Sequence, residues 1–429
     1  MATRPLHAVL LPPGDMLAPL AAALDGSGPA ILPLDPGLPP QRRERLLAAL
    51  APAAIRTPDG LQRFSRPEPA GKEGSQTAHP PPQVGGKPHI HPLAGRVDAS
   101  TAVVIITSGS TGEPKGVELS AAALLASARA SLDRLGAAPG DRWLCCLPVS
   151  HVAGIQVLVR SLVAGSTPVI RDRPDAAAAA AAGGAHVSMV PTQLHRLVEA
   201  GVDLEPFGKI LLGGAGAPPR LLAGARAAGG RVVTTYGMTE TCGGCVYDGM
   251  PLDGVRAETG AGGLVRIAGP VLFTGYRLRP DLTAAVLAGG WFSTSDIGAT
   301  DAGGRLVIRG RADDVINTGG EKVLGSEVAA VLETCAAVRQ AVVVGRPDPE
   351  WGERVTAVVV PADPADPPDL GALRSHVRQT LPASAAPREL VLVDELPLLP
   401  SGKPDLRTLR HAGRPTAAVP GTITDAMRY

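Results

Sequence analysis

Aromatic residues make up only 3% of this 429-residue chain, a usage that fits favoured high-GC codons and by itself says little about chemistry. Single-stranded nucleic acids are held by bases stacked on aromatic side chains among cations, and no window here joins a dense Lys/Arg run to interleaved aromatics. An excess of charge is missing too. With 41 basic residues against 40 acidic ones there is no polyelectrolyte face for nucleic acid or anionic membrane. Cysteine is scarce, and five thiols, an odd number in a long chain, suit reduced side chains rather than a disulfide framework. No apolar run reaches the length of a transmembrane helix. The apolar stretch 7–11 behind Arg4 could mimic an export signal, but Pro12-Pro13-Gly14-Asp15 cuts it short. A cytoplasmic protein without membrane insertion is expected.

At 429 residues the chain exceeds what one hydrophobic core usually organises, so two or more domains are expected. Residues 66–98 hold Pro, Gly, Lys, Gln and His with almost no large apolar side chain, which predicts a mobile surface loop. Its histidines, His79, His89 and His91, make a poor metal site, because polar tracts of this kind rarely preorganise ligands.

A regular alternation follows. Residues 103–106 read as a strand, Ser120 is placed to cap an Ala/Leu helix, 143–147 read as a strand and 154–164 as a helix. Short strands are predicted at 168–170, 187–190, 210–212 and 232–235, with helix-length segments between them. This predicts an α/β fold with largely parallel sheets covered by helices and ligands at the carboxyl ends of the strands. Beyond residue 260 the pattern changes to half-exposed strands at 264–267 and 306–309. A small α+β unit then has helices near 325–334 and 368–380 and strands near 338–344 and 354–360. The expected domains are a large N-terminal one over 1–311, a small mobile C-terminal one over 312–412, and a tail over 413–429.

The densest chemistry lies in Thr107-Ser108-Gly109-Ser110-Thr111-Gly112-Glu113-Pro114-Lys115-Gly116. A buried strand delivers a turn in which glycines admit close backbone approach, and N–H groups, hydroxyls and one ammonium can surround phosphate oxygens. It is not a Walker A loop, because the lysine is followed by glycine and preceded by proline rather than opening a helix. Further along stand Gly213-Gly214-Ala215-Gly216-Ala217-Pro218, Tyr236-Gly237-Met238-Thr239-Glu240, Phe292-Ser293-Thr294-Ser295-Asp296, Gly310-Arg311-Ala312-Asp313 and Leu399-Pro400-Ser401-Gly402-Lys403.

In this order the motifs resemble the adenylate-forming superfamily of acyl-CoA synthetases, adenylation domains and luciferases, over nearly all of residues 100–410. The resemblance implies ATP and Mg²⁺ as cofactors. It places Thr107, Ser108, Gly109, Ser110, Thr111, Gly112 and Lys115 at the phosphates, and Gly214, Ala215, Gly216, Tyr236 and Gly237 at the adenine. Thr239 would hold the α-phosphate, Glu240 the metal, and Asp296 and Arg311 the ribose. Asp313 would be the hinge of a domain rotation and Lys403 the catalytic lysine. Asn317-Thr318-Gly319-Gly320-Glu321-Lys322-Val323 resembles the loop that CoA ligases present to the thiol, which implies coenzyme A at Gly319, Gly320 and Glu321. Some positions depart from the usual pattern. Ser295 replaces a glycine, Gly262-Gly263-Leu264 has glycine where glutamate is usual, and no Thr-His pair follows Lys115-Gly116-Val117.

The acid would sit by Leu147-Pro148-Val149-Ser150-His151-Val152-Ala153-Gly154, with His151 as a gate. Arg160, on the apolar segment 155–162, either turns to solvent or meets a second carboxylate on the substrate. With Thr241-Cys242-Gly243-Gly244-Cys245, these features resemble the o-succinylbenzoate-CoA ligases of menaquinone biosynthesis, particularly actinobacterial ones. The cysteine pair is read as small residues lining a pocket rather than as a redox or zinc site. The alternatives are another small aryl- or acyl-CoA ligase, an adenylation enzyme serving a carrier protein, and a non-catalytic nucleotide-binding regulator. Self-association into a homo-oligomer is left open.

Overall fold

The computed structural model describes residues 2–64, 94–108, 114–398 and 404–411. The chain divides into two compact units. One comprises Met1–Thr294 with Ala299–Val307, the other Ser295–Gly298 with Ile308–Tyr429.

The larger unit is layered α/β. Strand Thr3–Val9 pairs in parallel with Ala30–Pro33 and Ala54–Thr57 in an 8-stranded sheet. The apolar stretch near the N-terminus thus enters the core: Leu6, Ala8, Leu10, Leu32 and Val104 pack together there. Arg96–Asp98, at the end of the predicted loop, is a strand antiparallel to Thr3–Val9, because Val97 is apolar and fully buried. The 7-stranded sheet runs in parallel through Val169–Ile170, Trp143–Cys145, His186–Met189, Ile210–Leu212 and Val232–Met238, then turns antiparallel into Gly243–Tyr247. Helices start and stop where the chemistry allows. Ser120 Oγ accepts from the Ala123 N–H at 3.1 Å, and Gly136 closes that helix at φ +63°. The smaller unit is built on a long antiparallel hairpin, Val338–Asp348 with Gly352–Pro361, carrying Val343, Val355, Ala357 and Val359 against the helices Gly325–Leu332 and Leu370–Arg378. Among the described residues no helix is long and apolar enough to cross a membrane.

One histidine, at the start of the strand His186–Met189 in the 7-stranded sheet, makes this fold acid-sensitive. His186 Nδ1 accepts from the Lys209 N–H at 2.8 Å, so Nε2 carries the proton of the neutral ring and faces Asp141 Oδ2 at 3.3 Å. Burial lowers its pKa, and Asp141 only partly opposes this. The unfolded chain then binds the proton more readily. The contribution is complete above the unfolded value of about 6.5 and is lost as pH falls toward the lower folded value. His186→Asn, whose amide oxygen can replace Nδ1, is expected to shrink the fall in Tm between neutral and mildly acidic pH. An identical fall in both proteins, followed by differential scanning calorimetry, would contradict this.

Candidate active site

The strand Thr101–Ser108 runs antiparallel to Pro114–Ser120, with Thr107 opposite Lys115 and Ser108 opposite Pro114. The hydroxyl- and glycine-rich segment therefore links two strands, not a strand and a helix. Gly109, Ser110, Thr111 and Gly112 lie outside the described residues, as does Lys403. Gly116 is demanded by packing, since a Cβ there would lie 2.7 Å from Leu50 Cδ2 and 3.1 Å from Val104 Cγ1.

Two further motifs sit at the carboxyl ends of the parallel strands Ile210–Leu212 and Val232–Met238, where an open α/β sheet receives ligands. Gly213 has no room for a side chain, because its Cβ would meet Thr235 Oγ1 at 2.3 Å, and Gly214 follows at φ +85°. Ala215 and Gly216 continue this turn before the helix Pro219–Ala227. Tyr236 is half-buried and pairs with Val246 across a register shift. At Gly237, opposite Gly244, a Cβ would lie 2.0 Å from the Gly243 carbonyl. Beyond Met238 the chain turns sharply at Thr239–Thr241, tied by Thr241 Oγ1, which accepts from the Met238 N–H at 2.9 Å and donates to the Gly243 carbonyl at 2.7 Å.

This turn presents Glu240. Its Oε1 accepts from the Tyr276 hydroxyl at 2.9 Å, and the face of the Tyr276 ring lies 5.3 Å from Lys115 Nζ. Lys115 and Glu240, far apart in the chain, are thereby brought together by Tyr276. Burial, reinforced by the charge of Glu240 and by this hydrogen bond, pushes the tyrosine pKa up and keeps the phenol a donor. Sequence motifs did not single out Tyr276. Its signal was a Gly-Tyr-Arg run, and it is 36 residues from its carboxylate partner.

On the acid side, His151 and Arg160 are not brought together. His151 is the exposed N-cap of helix Val152–Ala164 and Arg160 is buried. Nine positions along the helix separate them by about 13 Å along its axis. The Arg160 Nη2 donates to Ser188 Oγ at 2.8 Å, the guanidinium lies 4.3 Å from the Trp143 ring centroid, and Nε has no hydrogen-bond partner. No carboxylate pairs with it among the described residues, and burial lowers its pKa. Gln156, one turn earlier on the same face, is also buried and leaves Oε1 unpartnered. The neighbouring thiols are protonated. Burial pushes Cys145 to about 11, Cys146 to about 12 and Cys245 to about 12, with Cys242 driven up as well. Among the described residues no three His, Cys, Asp or Glu side chains form a metal-holding group; His79, His89 and His91 lie outside them.

In the smaller unit Asp296 is 7% exposed and faces Arg311, whose Nη1 donates to Asp296 Oδ1 at 3.4 Å while Nη2 donates to Asp313 Oδ2 at 3.2 Å. Burial opposes the Arg311 charge, but Asp296, Asp313 and Asp314 outweigh it and hold the pKa above its ordinary value. Gly319 and Gly320, at φ +60° and +82°, form the two-residue turn between Val315–Thr318 and Glu321–Leu324, a geometry that favours glycine at both positions. The Gly319 N–H donates to the Trp351 carbonyl at 2.9 Å, a Cβ would lie 2.8 Å from the indole, and Arg388 covers that ring at 3.8 Å; Glu321 beside the turn is exposed.

The AMP-binding enzyme family matches residues 8–311, and the AMP-binding enzyme C-terminal domain matches residues 327–403. The chain belongs to the AMP-binding enzymes. This AMP-binding enzyme is 46% identical over 336 residues to a Mycobacterium tuberculosis protein named "Probable 2-succinylbenzoate–CoA ligase", covering 74% of this chain and 86% of that one. It is 33% identical to the 2-succinylbenzoate–CoA ligase of Bacillus pumilus, over 73% and 69% of the two chains. Among solved structures it is similar to the o-succinylbenzoate CoA synthetase of Bacillus subtilis in complex with its acyl-adenylate intermediate. That likeness has a TM-score of 0.76 at 27% identity, over 95% of this chain and 88% of the other. An amide bond synthetase from Marinactinospora thermotolerans gives a TM-score of 0.78 at 28% identity, over 96% and 90%.

Proposed function

We propose that this AMP-binding enzyme is an ATP-dependent acid–CoA ligase that converts 2-succinylbenzoate into its CoA thioester in menaquinone biosynthesis. In the first half-reaction a carboxylate oxygen attacks the α-phosphorus of ATP and the bond to the β-phosphate breaks, giving the acyl-adenylate and pyrophosphate. In the second the CoA sulfur attacks the acyl carbon, its proton is lost, and the bond to AMP breaks. The first step brings two anions together, so the protein's task is to neutralise charge rather than to create a nucleophile.

The residues fit ATP with Mg²⁺. Among the described residues Glu240 offers a hard oxygen donor with only Oε1 engaged, and Lys115 faces the Tyr276 ring with no carboxylate paired to it. Bound Mg²⁺ would neutralise charge on the phosphates there. Lys115, with the hydroxyls and N–H groups of residues 107–112, holds the phosphates. Tyr236 and the turn Gly214-Ala215-Gly216 with Gly237 receive the adenine, Thr239 the α-phosphate, and Asp296 with Arg311 the ribose. Lys403 supplies the cation of the adenylation step. Asp313 is the hinge that lets the domain over residues 312–412 serve both half-reactions, and the turn Gly319-Gly320 with Glu321 serves CoA. Free buried thiols suit a cytoplasmic enzyme.

The observation that carries the choice of acid is Arg160, a buried cation with no carboxylate beside it among the described residues. Burying a lone charge is costly, and an acid with a second carboxylate relieves that cost; His151 gates the acid from the helix end. Pyrophosphate release measured across a panel of acids tests this. Release with 2-succinylbenzoate well above that with benzoate is expected, and the reverse order would remove the reading.

A further inference from the structure

We infer that Tyr276 is a positioning residue that keeps the two charges of the phosphate site apart and aimed. This rests on the reading of Glu240 as the metal-holding carboxylate.

A lysine and a glutamate sharing a half-buried site have an obvious competing arrangement, which is to pair with each other. A pair of that kind would neutralise the ammonium meant for phosphate and occupy the carboxylate meant for metal. The structure holds them otherwise. The Tyr276 hydroxyl occupies one Glu240 oxygen at 2.9 Å, and the ring face takes the Lys115 ammonium at 5.3 Å from its centroid. Neither charged group has an ion-pair partner among the described residues. The phenol donates to one carboxylate oxygen and so orients the other, while the ring attracts the cation without discharging it.

The tyrosine is itself fixed from several sides. Its N–H donates to Thr283 Oγ1 at 2.8 Å, and its ring packs at a tilt on Phe273, 5.0 Å between centroids. The next residue, Arg277, is 3% exposed. It donates from its backbone to the Gly116 carbonyl at 2.7 Å and from its guanidinium to the carbonyls of Arg96 and Ala51 at 2.9 and 3.0 Å. Gly116 adjoins Lys115, so one short segment registers the tyrosine against both charged groups.

The test is direct binding of Mn²⁺, counted by the electron paramagnetic resonance of the free ion, to enzyme saturated with α,β-methylene ATP. Tyr276→Phe keeps the ring and is expected to weaken Mn²⁺ by about tenfold to a hundredfold, the size of one lost hydrogen bond to a charged group, with the metal-free affinity for the analogue unchanged. Tyr276→Leu, which also loses the ring, should in addition lower the metal-free affinity for the analogue, because Lys115 then pairs with Glu240. In a Glu240→Gln background, Tyr276→Phe should add nothing. Wild-type Mn²⁺ binding by Tyr276→Phe, or an undiminished effect in the Glu240→Gln background, would overturn the positioning role. Equal metal-free affinities for the Phe and Leu variants would overturn the separating role. If Glu240→Gln alone binds Mn²⁺ as the wild type does, the metal reading of Glu240 fails first and takes this inference with it.

Discussion

Lys403→Ala is expected to lower acyl-adenylate formation by about 10²- to 10³-fold while leaving CoA transfer from preformed adenylate near the wild-type rate. The asymmetry follows from where charge develops. In the first half-reaction a carboxylate approaches a triphosphate and pyrophosphate departs, so a cation at the α-phosphate acts on the transition state more than on bound substrate. In the second, an uncharged acyl carbon is attacked and the leaving group is a single phosphate monoester anion, so the lysine proposed for the first step, Lys403, is expected to be dispensable. Isotope exchange between pyrophosphate and ATP reports the first step, and thioester formation from synthetic acyl-adenylate reports the second. Equal losses in both would refute a lysine confined to one half-reaction.

Arg160→Met should uncouple stability from affinity. Truncating one partner of a buried charge pair costs about 2–5 kcal/mol, so KM for 2-succinylbenzoate is expected to rise by roughly 30-fold or more, with kcat changed far less. For benzoate, which has no second carboxylate, KM should stay near its wild-type value. Without substrate the outcome reverses. Arg160 is 6% exposed with its Nε unpartnered, so replacing it with an apolar side chain of similar length removes an uncompensated buried charge and should raise Tm. A purely structural arginine would behave differently: its loss would lower Tm and affect both acids alike. Steady-state kinetics on the two acids with a thermal melt distinguish these cases.

Local form was legible in the chain where the groups expected at the site come in short runs. Tyr236 to Glu240 lie on a strand end and the turn after it, and Gly319-Gly320 is a hairpin turn that glycine itself dictates. Strands were legible where apolar residues cluster, as at residues 187–190 and 210–212. Relations across the chain were not. Tyr276 reaches Glu240 only because Gly275–Tyr276 pairs with the strand Pro114–Ser120, and that strand was itself unforeseen, since Pro114 and Gly116 read as loop residues. Gly116 is glycine for packing against Leu50 and Val104 rather than for flexibility. Arg160 left two readings open because helical periodicity cannot say whether an apolar face carrying an arginine is covered. The 7-stranded sheet covers it.

The mass of the product formed when the purified enzyme is incubated with ATP, Mg²⁺, CoA and 2-succinylbenzoate decides whether the proposed activity is the right one. The expected result is a new species with the mass of the 2-succinylbenzoate thioester of CoA, accompanied by AMP and absent when ATP is omitted. Unchanged CoA and acid under conditions where another acid yields its thioester would contradict it.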